Sequence, residues 1–161
     1  MEKSLCTDDC SRVIERYSAM VYRLALTRTK NKADAEDVFQ EVFLRYYKNQ
    51  DRITSEDHLK AWLIRATINY SNSLMSSAWF RKTAPLSEEI PFETPEEHDL
   101  YSTVMKLPQK YRTVIHLFYY EDLPVKEISN ILGIGESTVK SQLSRARAQL
   151  KAKLKGEYED V

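Results

Sequence analysis

Glycine and proline are scarce in this chain, which has 3 Gly and 5 Pro among 161 residues. This scarcity argues against a loop-rich β protein and favours long helices. The sequence also lacks an apolar run that approaches the roughly 18 residues of a membrane span. Its N-terminus, MEKSLCTDDC, lacks the apolar core of a secretory signal. We therefore expect an all-α protein that resides in the cytoplasm.

Residues that bind metals or act as nucleophiles are also few. Cys6 and Cys10 are four residues apart and would share a helix face if a helix begins that early, and we expect reduced thiols there. His58, His98 and His116 are scattered and form no ligand pair at helical spacing. No P-loop and no nucleophile–base pair is apparent. The sequence therefore predicts no metal, no cofactor and no enzymatic activity.

The charges cancel in sum but are segregated along the chain, which carries 24 basic and 24 acidic residues. The range Thr83–Met105 holds six acids and no Lys or Arg, whereas Ser137–Lys155 holds six basic residues and no acid. Opposite charge blocks are more informative than their sum. The basic block suits nucleic acid, and the acidic block is either a shield for it or a solvated linker.

Apolar residues at helical spacing predict three helices in the first half of the chain. They cover Thr7–Thr29, Ala33–Lys48 and a range that opens at the capping box Thr54–Asp57 and runs to near Trp79. Thr7 is the predicted N-cap of the first helix. The predicted core residues are Ile14, Tyr17, Val21, Leu24, Ala35, Val38, Phe39, Val42, Phe43, Tyr46, Leu59, Trp62, Leu63, Ala66 and Tyr70.

The stretch KTAPLSEEIPFETPEEHD holds three prolines and most of the acidic block, which predicts an interdomain linker. The predicted fold is thus two small helical domains, 1–82 and 101–161, joined by a flexible acidic linker, 83–100. The second domain is predicted to contain the helical segments DLYSTVMKL, QKYRTVIHLFYYE and PVKEISNILG, followed by the basic helix. The core residues predicted for QKYRTVIHLFYYE are Tyr111, Val114, Ile115 and Phe118.

The segment VKEISNILGIGESTVKSQLSRAR has the layout of a helix-turn-helix. Gly133 can adopt the left-handed conformation of a tight turn, and Ser129 is small enough for the helices to approach closely. On the second helix, Ser141 lies at the centre of the side opposite the core. The core residues predicted for this helix are Val139, Leu143, Ala146, Leu150 and Leu154. The predicted DNA-binding residues are Thr138, Lys140, Ser141, Gln142, Ser144, Arg145 and Arg147.

Within this set, Arg145 is predicted to bind a guanine edge through two hydrogen bonds. Lys140, Arg147 and Lys151 lie together on one flank, as phosphate-binding side chains should. The alternative is an ordinary amphipathic helix. Its Lys and Arg side chains would then only face solvent and interact favourably with the C-terminal end of the helix dipole.

The helix from Ala33 has a second patterned face. Asp37, Gln40, Glu41 and Leu44 fall at i, i+3, i+4 and i+7, opposite the apolar stripe. This face is either a solvated acidic surface with one stray leucine or a docking surface for a basic partner.

Two longer segments resemble a known family. DAEDVFQEVFLRYYKN followed by AWLIRATIN resembles region two of bacterial sigma factors, and LPQKYRTVIHLFYYEDLPVKEISNILGIGESTVKSQLSRARAQLKAKL resembles region four of the small extracytoplasmic-function (ECF) class. The resemblance runs from about Tyr17 to Leu154. It implies a promoter-specificity subunit of bacterial RNA polymerase that acts in a stress or envelope response. The implied partners are the polymerase β′ clamp helices and β flap, promoter DNA and an anti-sigma factor, with no direct insertion into a membrane.

The resemblance also implies roles for single residues in the first domain. Asp37, Gln40 and Glu41 match the family's D-x-x-Q-E, which docks on the β′ clamp helices, and Leu44 shares their face. Asn69 aligns with an asparagine that contacts an extruded base of the minus-ten element.

Two cations on the helix of Asn69, Lys60 and Arg65, are predicted to hold phosphates of that single strand. Further along, Trp79 and Phe80 either stack on an unpaired base or pack under the linker.

Several residues depart from the family pattern. Gln142 stands where arginine is frequent, and Gly135 and Ser137 replace a frequent Ser and Gly at the turn. The recognition helix would then be capped less well, or by Ser137 one turn later. Two other classes stay open: a repressor or activator that binds DNA as a dimer, and a nucleic-acid hydrolase with metal-bound carboxylates.

Overall fold

Helices dominate the computed structural model, which describes residues 2–53, 55–77 and 95–159, with side chains over 10–53, 55–77 and 100–155. The α-helices are α1 (Glu2–Thr29), α2 (Lys32–Asn49), α3 (Glu56–Ser76), α4 (Pro95–Met105), α5 (Gln109–Ile115), α6 (Val125–Leu132) and α7 (Glu136–Glu159). A 3₁₀ turn follows α2 and a π-helical turn, His116–Tyr120, follows α5. The described ranges contain no strand, which confirms the predicted all-α class. None of their helices has the length and hydropathy needed to span a bilayer.

The chain divides into two compact units, Met1–Leu86 and Ser87–Val161. In the first unit, α1, α2 and α3 pack on one another in all three pairings. Leu24, Val42 and Leu63 are fully buried at the centre. Burial of such side chains stabilises the fold by about 1.5–3 kcal/mol each. The core predicted from helical spacing on α1 and α2 is therefore largely correct, although Ile14 is 40% exposed.

The ends of the helices differ from the prediction. Because α1 begins at Glu2, Thr7 lies inside the helix and is not its N-cap. The residues before Thr7 include good helix formers, and a single Thr inside a helix is tolerated, so the helix extends back past Thr7. The N-cap of α3 is Ser55, whose Oγ accepts a hydrogen bond of 3.2 Å from the backbone N–H of His58. Thr54, the predicted cap, lies outside the described residues.

The buried stripe of α3 is rotated from the predicted one. Trp62, Ala66 and Tyr70 are only half-buried. The residues that are buried are Leu59, Leu63, Ile64, Thr67, Ile68, Ser71 and Leu74. Thr67 and Ser71 can be buried because their hydroxyls donate to carbonyl oxygens of the preceding turn, at 2.6 and 2.8 Å. Sequence hydropathy missed these positions because both residues are polar.

Cys10 is buried, and its thiol donates to Gln50 Oε1 at 3.1 Å. Cys10 is a thiol and not part of a disulfide, as predicted. The side chain of Cys6 lies outside the described residues.

In the second unit, α4 to α7 enclose a core that includes Leu107, Leu117 and Leu143, all at most 2% exposed. Helix α4 begins at Pro95, inside the range predicted as linker. Arg112 is buried and donates to the carbonyl oxygen of Leu107 at 3.1 Å. Burial lowers the pKa of Arg112.

The predicted helix QKYRTVIHLFYYE is not regular throughout, because α5 passes into the π-helical turn. There the Glu121 N–H donates to the His116 carbonyl oxygen at 3.2 Å, five residues back instead of four. His116 Nε2 and Glu121 Oε1, both buried, are 3.2 Å apart. The wider turn changes the helical phase, so Phe118, a predicted core residue, is half-buried, and Tyr119 is 50% exposed.

Candidate nucleic-acid and protein interfaces

The turn between α6 and α7 is held by one serine and one glycine. Gly133 has φ +69°, the left-handed conformation that glycine adopts without strain. Its N–H and that of Ile134 both donate to the Ser129 carbonyl oxygen, at 2.9 and 3.2 Å. The Ser129 hydroxyl donates to the Ile134 carbonyl oxygen. Ser129 is therefore more than a small residue, because it closes the turn that sets the angle between the helices.

Helix α7 turns one side to the core and the other to solvent. Val139, Leu143 and Ala146 are buried, as their spacing predicted, whereas Leu150 and Leu154 are only half-buried. Of the predicted DNA-binding residues, Gln142 is half-buried, and the exposed ones are Thr138, Lys140, Ser141, Ser144, Arg145 and Arg147. Because α6 and the turn leave this side of α7 uncovered, it can enter a major groove.

The start of α7 agrees with the weaker capping that was predicted for it, and not with the alternative of a cap from Ser137. The Val139 N–H donates to the Gly135 carbonyl oxygen at 3.1 Å, which makes Gly135 the N-cap residue. Ser137 lies within the first turn of α7 and is not a cap. The helix therefore begins without a capping side chain, since glycine has none.

A shallow depression of about 270 Å³ lies beside the exposed side of α7. Its lining residues from α7 are Ser137, Thr138, Ser141, Gln142 and Arg145. Lys110 and Tyr111 complete it from the start of α5. The Lys110 ammonium lies over the Tyr111 ring, 5.2 Å from its centroid. Sequence patterning missed Lys110 because helical spacing relates residues of one helix only.

Arg147 has a different environment from the other predicted DNA-binding residues. Its Nε donates to the Tyr119 hydroxyl at 2.6 Å, and its guanidinium lies 5.5 Å from the ring centroids of Phe118 and Tyr119. These aromatic residues belong to the π-helical turn. Arg147 thus does not line the depression that holds Arg145.

An apolar groove of about 720 Å³ forms a second surface on this unit. Its residues come from α4, the α5 region and the C-terminal half of α7: Leu100, Val104, Ile115, Tyr119, Tyr120, Arg147, Leu150, Lys151, Leu154 and Lys155. Leu100, Tyr119 and Tyr120 are between 38% and 50% exposed. Exposed apolar surface of this kind marks interaction sites. Helical spacing did not predict the groove, because a regular helix through His116–Tyr120 would turn Phe118 inward.

In the first unit, the predicted docking face of α2 is open to solvent. Asp37 and Gln40 are exposed, Glu41 is half-buried and Leu44 is 55% exposed. Tyr47, three residues beyond Leu44, is 59% exposed and extends this face. Exposed apolar residues beside acidic ones suit a partner that is basic and partly apolar.

Arg45 connects this face to α3. Its Nε donates to Glu41 Oε1 at 2.9 Å, and its guanidinium lies 5.1 Å from the Tyr70 ring centroid. Exposed ion pairs contribute little to stability. In the structure the Glu41 carboxylate is directed towards Arg45.

The residues predicted to hold the minus-ten strand are only partly brought together. Arg65 and Asn69 are exposed and one turn apart on α3. Lys60 is half-buried and nine residues from Asn69, so it projects about half a turn away. Trp62 packs edge-to-face on Tyr46, with centroids 6.3 Å apart.

Two further predictions concern other parts of the chain. Trp79, Phe80 and much of the acidic block lie outside the described residues. Within the residues that are described, no group of three or more His, Cys, Asp or Glu side chains has an arrangement that could hold a metal ion.

Comparison with known proteins identifies the family of this chain. The family model Sigma-70 region 2 matches residues 13–81, and Sigma-70, region 4 matches residues 97–150. The ECF RNA polymerase sigma factor SigM of Bacillus subtilis (strain 168) is 33% identical over 154 residues, which cover 87% of this chain and 91% of SigM. SigW of the same organism is 27% identical over 168 residues, with 92% and 90% covered.

Solved structures show the same fold. The sigma factor RpoE of Bartonella quintana, crystallised with the anti-sigma factor NepR, matches with a TM-score of 0.77 at 22% identity, covering 91% of this chain and 97% of RpoE. CnrH, solved with the cytosolic domain of CnrY, matches with a TM-score of 0.69 at 23% identity, covering 93% of this chain and 90% of CnrH.

Proposed function

Because the chain belongs to the ECF class of sigma-70 family sigma factors, we propose that its two units divide the recognition of a promoter between them. The protein is a promoter-specificity subunit of bacterial RNA polymerase that directs transcription initiation. In the proposed division, domain 1–82 binds the polymerase clamp and the minus-ten element, and domain 101–161 binds the minus-thirty-five element. The range 83–100 is the proposed linker.

The second domain would read duplex DNA through the exposed side of α7. The observation that carries this proposal is the exposure of Ser141 and Arg145 opposite the buried Val139 and Leu143. Small side chains at the centre of that side let the helix approach the base edges, and Arg145 can bind guanine through two hydrogen bonds. The remaining proposed contacts are those of Thr138, Lys140, Gln142 and Ser144 with bases or phosphates.

Arg147 is also a proposed phosphate contact, but only in a rearranged conformation. Its guanidinium is hydrogen-bonded to Tyr119, so it would reach a phosphate only after that bond breaks.

In the first domain, the proposed polymerase-binding residues are Asp37, Gln40, Glu41 and Leu44. Their common exposed face on α2 and its two carboxylates support docking on a basic partner, which the family resemblance identifies as the β′ clamp helices. For the minus-ten strand we propose Asn69 as the base contact and Arg65 as a phosphate contact. Lys60 is a weaker candidate because it projects away from Asn69.

The apolar groove of the second unit suits a protein segment better than DNA, because DNA interfaces are strongly polar and charged. Exposed Leu100, Tyr119 and Tyr120 would be covered on binding. The β flap, which the family resemblance implies as a second polymerase contact, is the proposed occupant.

Membership of the family also suggests how the protein is regulated and where in the cell it acts. We propose that an anti-sigma factor holds the protein inactive, that it acts in the cytoplasm in a stress or envelope response, and that it has no catalytic activity of its own. Its work would be binding, since sigma factors are transcription factors.

The decisive experiment is reconstitution. The full chain is mixed with core RNA polymerase, co-purified and used for transcription from genomic fragments, and the 5′ ends of the transcripts are sequenced. We expect transcripts whose start sites share two upstream elements. A dimer that binds inverted repeats without polymerase would instead indicate a repressor or activator.

A further inference from the structure

The depression beside α7 combines the chemistry of an anion site with a position next to the proposed reading residues. Two cations, Lys110 and Arg145, share it, together with the hydroxyl-bearing residues Ser137, Thr138 and Ser141. None of the described residues that line it carries a carboxylate. Two cations in one hollow repel each other, and an anion between them removes that repulsion.

Its size and openness suit a phosphate on a polymer rather than an enclosed small molecule. The depression has a volume of about 270 Å³ and is open to solvent along the exposed side of α7. A backbone phosphate can therefore enter while the bases lie against α7. Phosphate contacts of this kind fix the register of a protein on duplex DNA.

Lys110 is held in position by its neighbour. Its ammonium lies over the face of the Tyr111 ring at 5.2 Å, within the range of a cation–π contact. Tyr111 is only 7% exposed, so the ring is fixed in the core. This contact places the ammonium beside the depression.

We propose that this depression receives a backbone phosphate of the minus-thirty-five duplex, with Lys110 as a positioning residue outside the helix-turn-helix. The inference rests on the proposed role of α7 in reading DNA. Lys110 carries no base information itself. It would fix the distance between the duplex and Arg145, so that the guanidinium meets a base edge.

The test is the salt dependence of duplex binding by the full chain. A fluorescently labelled 30-base-pair duplex of mixed sequence is titrated at several KCl concentrations, and log K is plotted against log[KCl]. Each phosphate neutralised contributes about 0.9 to the slope. Lys110→Ala should make the slope shallower by about 0.9 and weaken binding on the order of tenfold at 50 mM salt. Lys110→Arg should restore the slope.

Lys48→Ala is the matched control, because it removes the same charge from an exposed residue of α2 that belongs neither to the depression nor to the predicted DNA-binding residues. Equal losses for Lys110→Ala and Lys48→Ala would overturn the inference, since only net charge would then matter. If Lys110→Ala has no effect while Arg145→Ala weakens binding, this inference fails and the reading face stands. If neither variant has an effect, the reading face fails as well.

Discussion

The guanidinium of Arg147 is bound to Tyr119, with 2.6 Å between Nε and the hydroxyl oxygen. The two residues are 28 positions apart, and Tyr119 belongs to the π-helical turn. Because Arg147 is the residue between the proposed DNA face and the apolar groove, this hydrogen bond joins the two surfaces.

Replacement of Tyr119 by Phe should release Arg147. The change keeps the ring and removes only the acceptor, so Arg147 becomes available to a phosphate. We expect tighter duplex binding and a salt slope steeper by about 0.9. Fluorescence anisotropy at several salt concentrations measures both. Tyr119→Phe combined with Arg147→Ala should show no such gain, and a gain that persists without Arg147 would refute the release.

Arg145 should determine preference at one base pair. Arg145→Ala removes a contact of two hydrogen bonds and is expected to cost about 1–3 kcal/mol of discrimination there. Arg145→Lys keeps the charge but not the paired geometry. Selection by the holoenzyme from promoters randomised upstream compares the variants. If Arg145→Lys retains full preference, Arg145 contacts a phosphate rather than a base.

Charge reversal on α2 should weaken polymerase binding. Asp37 is exposed and lies on the proposed docking face, so Asp37→Lys opposes a basic partner without disturbing the core. We expect at least a tenfold weaker complex, about 1.4 kcal/mol, measured by competition for core polymerase. Glu15→Lys, at an exposed position of α1, is the control. Equal effects of the two reversals would exclude a specific face.

The two glycines of the turn should respond oppositely to serine. Gly133→Ser places a side chain at φ +69° and is expected to cost about 1–2 kcal/mol. Gly135→Ser supplies the missing cap and should stabilise by a few tenths of a kcal/mol. An added Cβ at Gly135 meets its nearest atoms at 3.9 Å, so there is room. Urea unfolding of both variants checks the contrast, and destabilisation by both would mean that Gly135 is not the cap.

Stability at alkaline pH should depend on Tyr17. Burial, and then the Glu56 carboxylate, raises the pKa of Tyr17 above its ordinary value of 10.0. The folded state therefore holds the phenol proton more tightly, so this contribution is present below pH 10 and is lost as the pH rises through the higher folded pKa. Tyr17→Phe should reduce the loss of stability between about pH 9 and 11. Urea unfolding at each pH measures it, with Tyr47→Phe on an exposed ring as control.

The sequence alone determined much of this protein. A helix buries a stripe of its own surface, so spacing identified Val139 and Leu143 as core and left Arg145 on the open side. The same reasoning predicted Leu44 to be exposed on α2, and it is. Gly133 was predictable because few residues adopt its backbone conformation. The resemblance to region two and region four identified the family.

Only the tertiary structure decided which helices meet and in what phase. Lys110 joins the depression beside α7 because α5 packs on α7, and no spacing within one helix encodes that contact. Thr67 and Ser71 are buried because their hydroxyls are satisfied by their own helix. Tyr119, in the π-helical turn, accepts a hydrogen bond from Arg147. Tyr119 and Tyr120 of the same turn line the apolar groove. Periodicity identifies the buried side of a single regular helix. It cannot predict which residues of another helix contact that side, or where a helix becomes irregular.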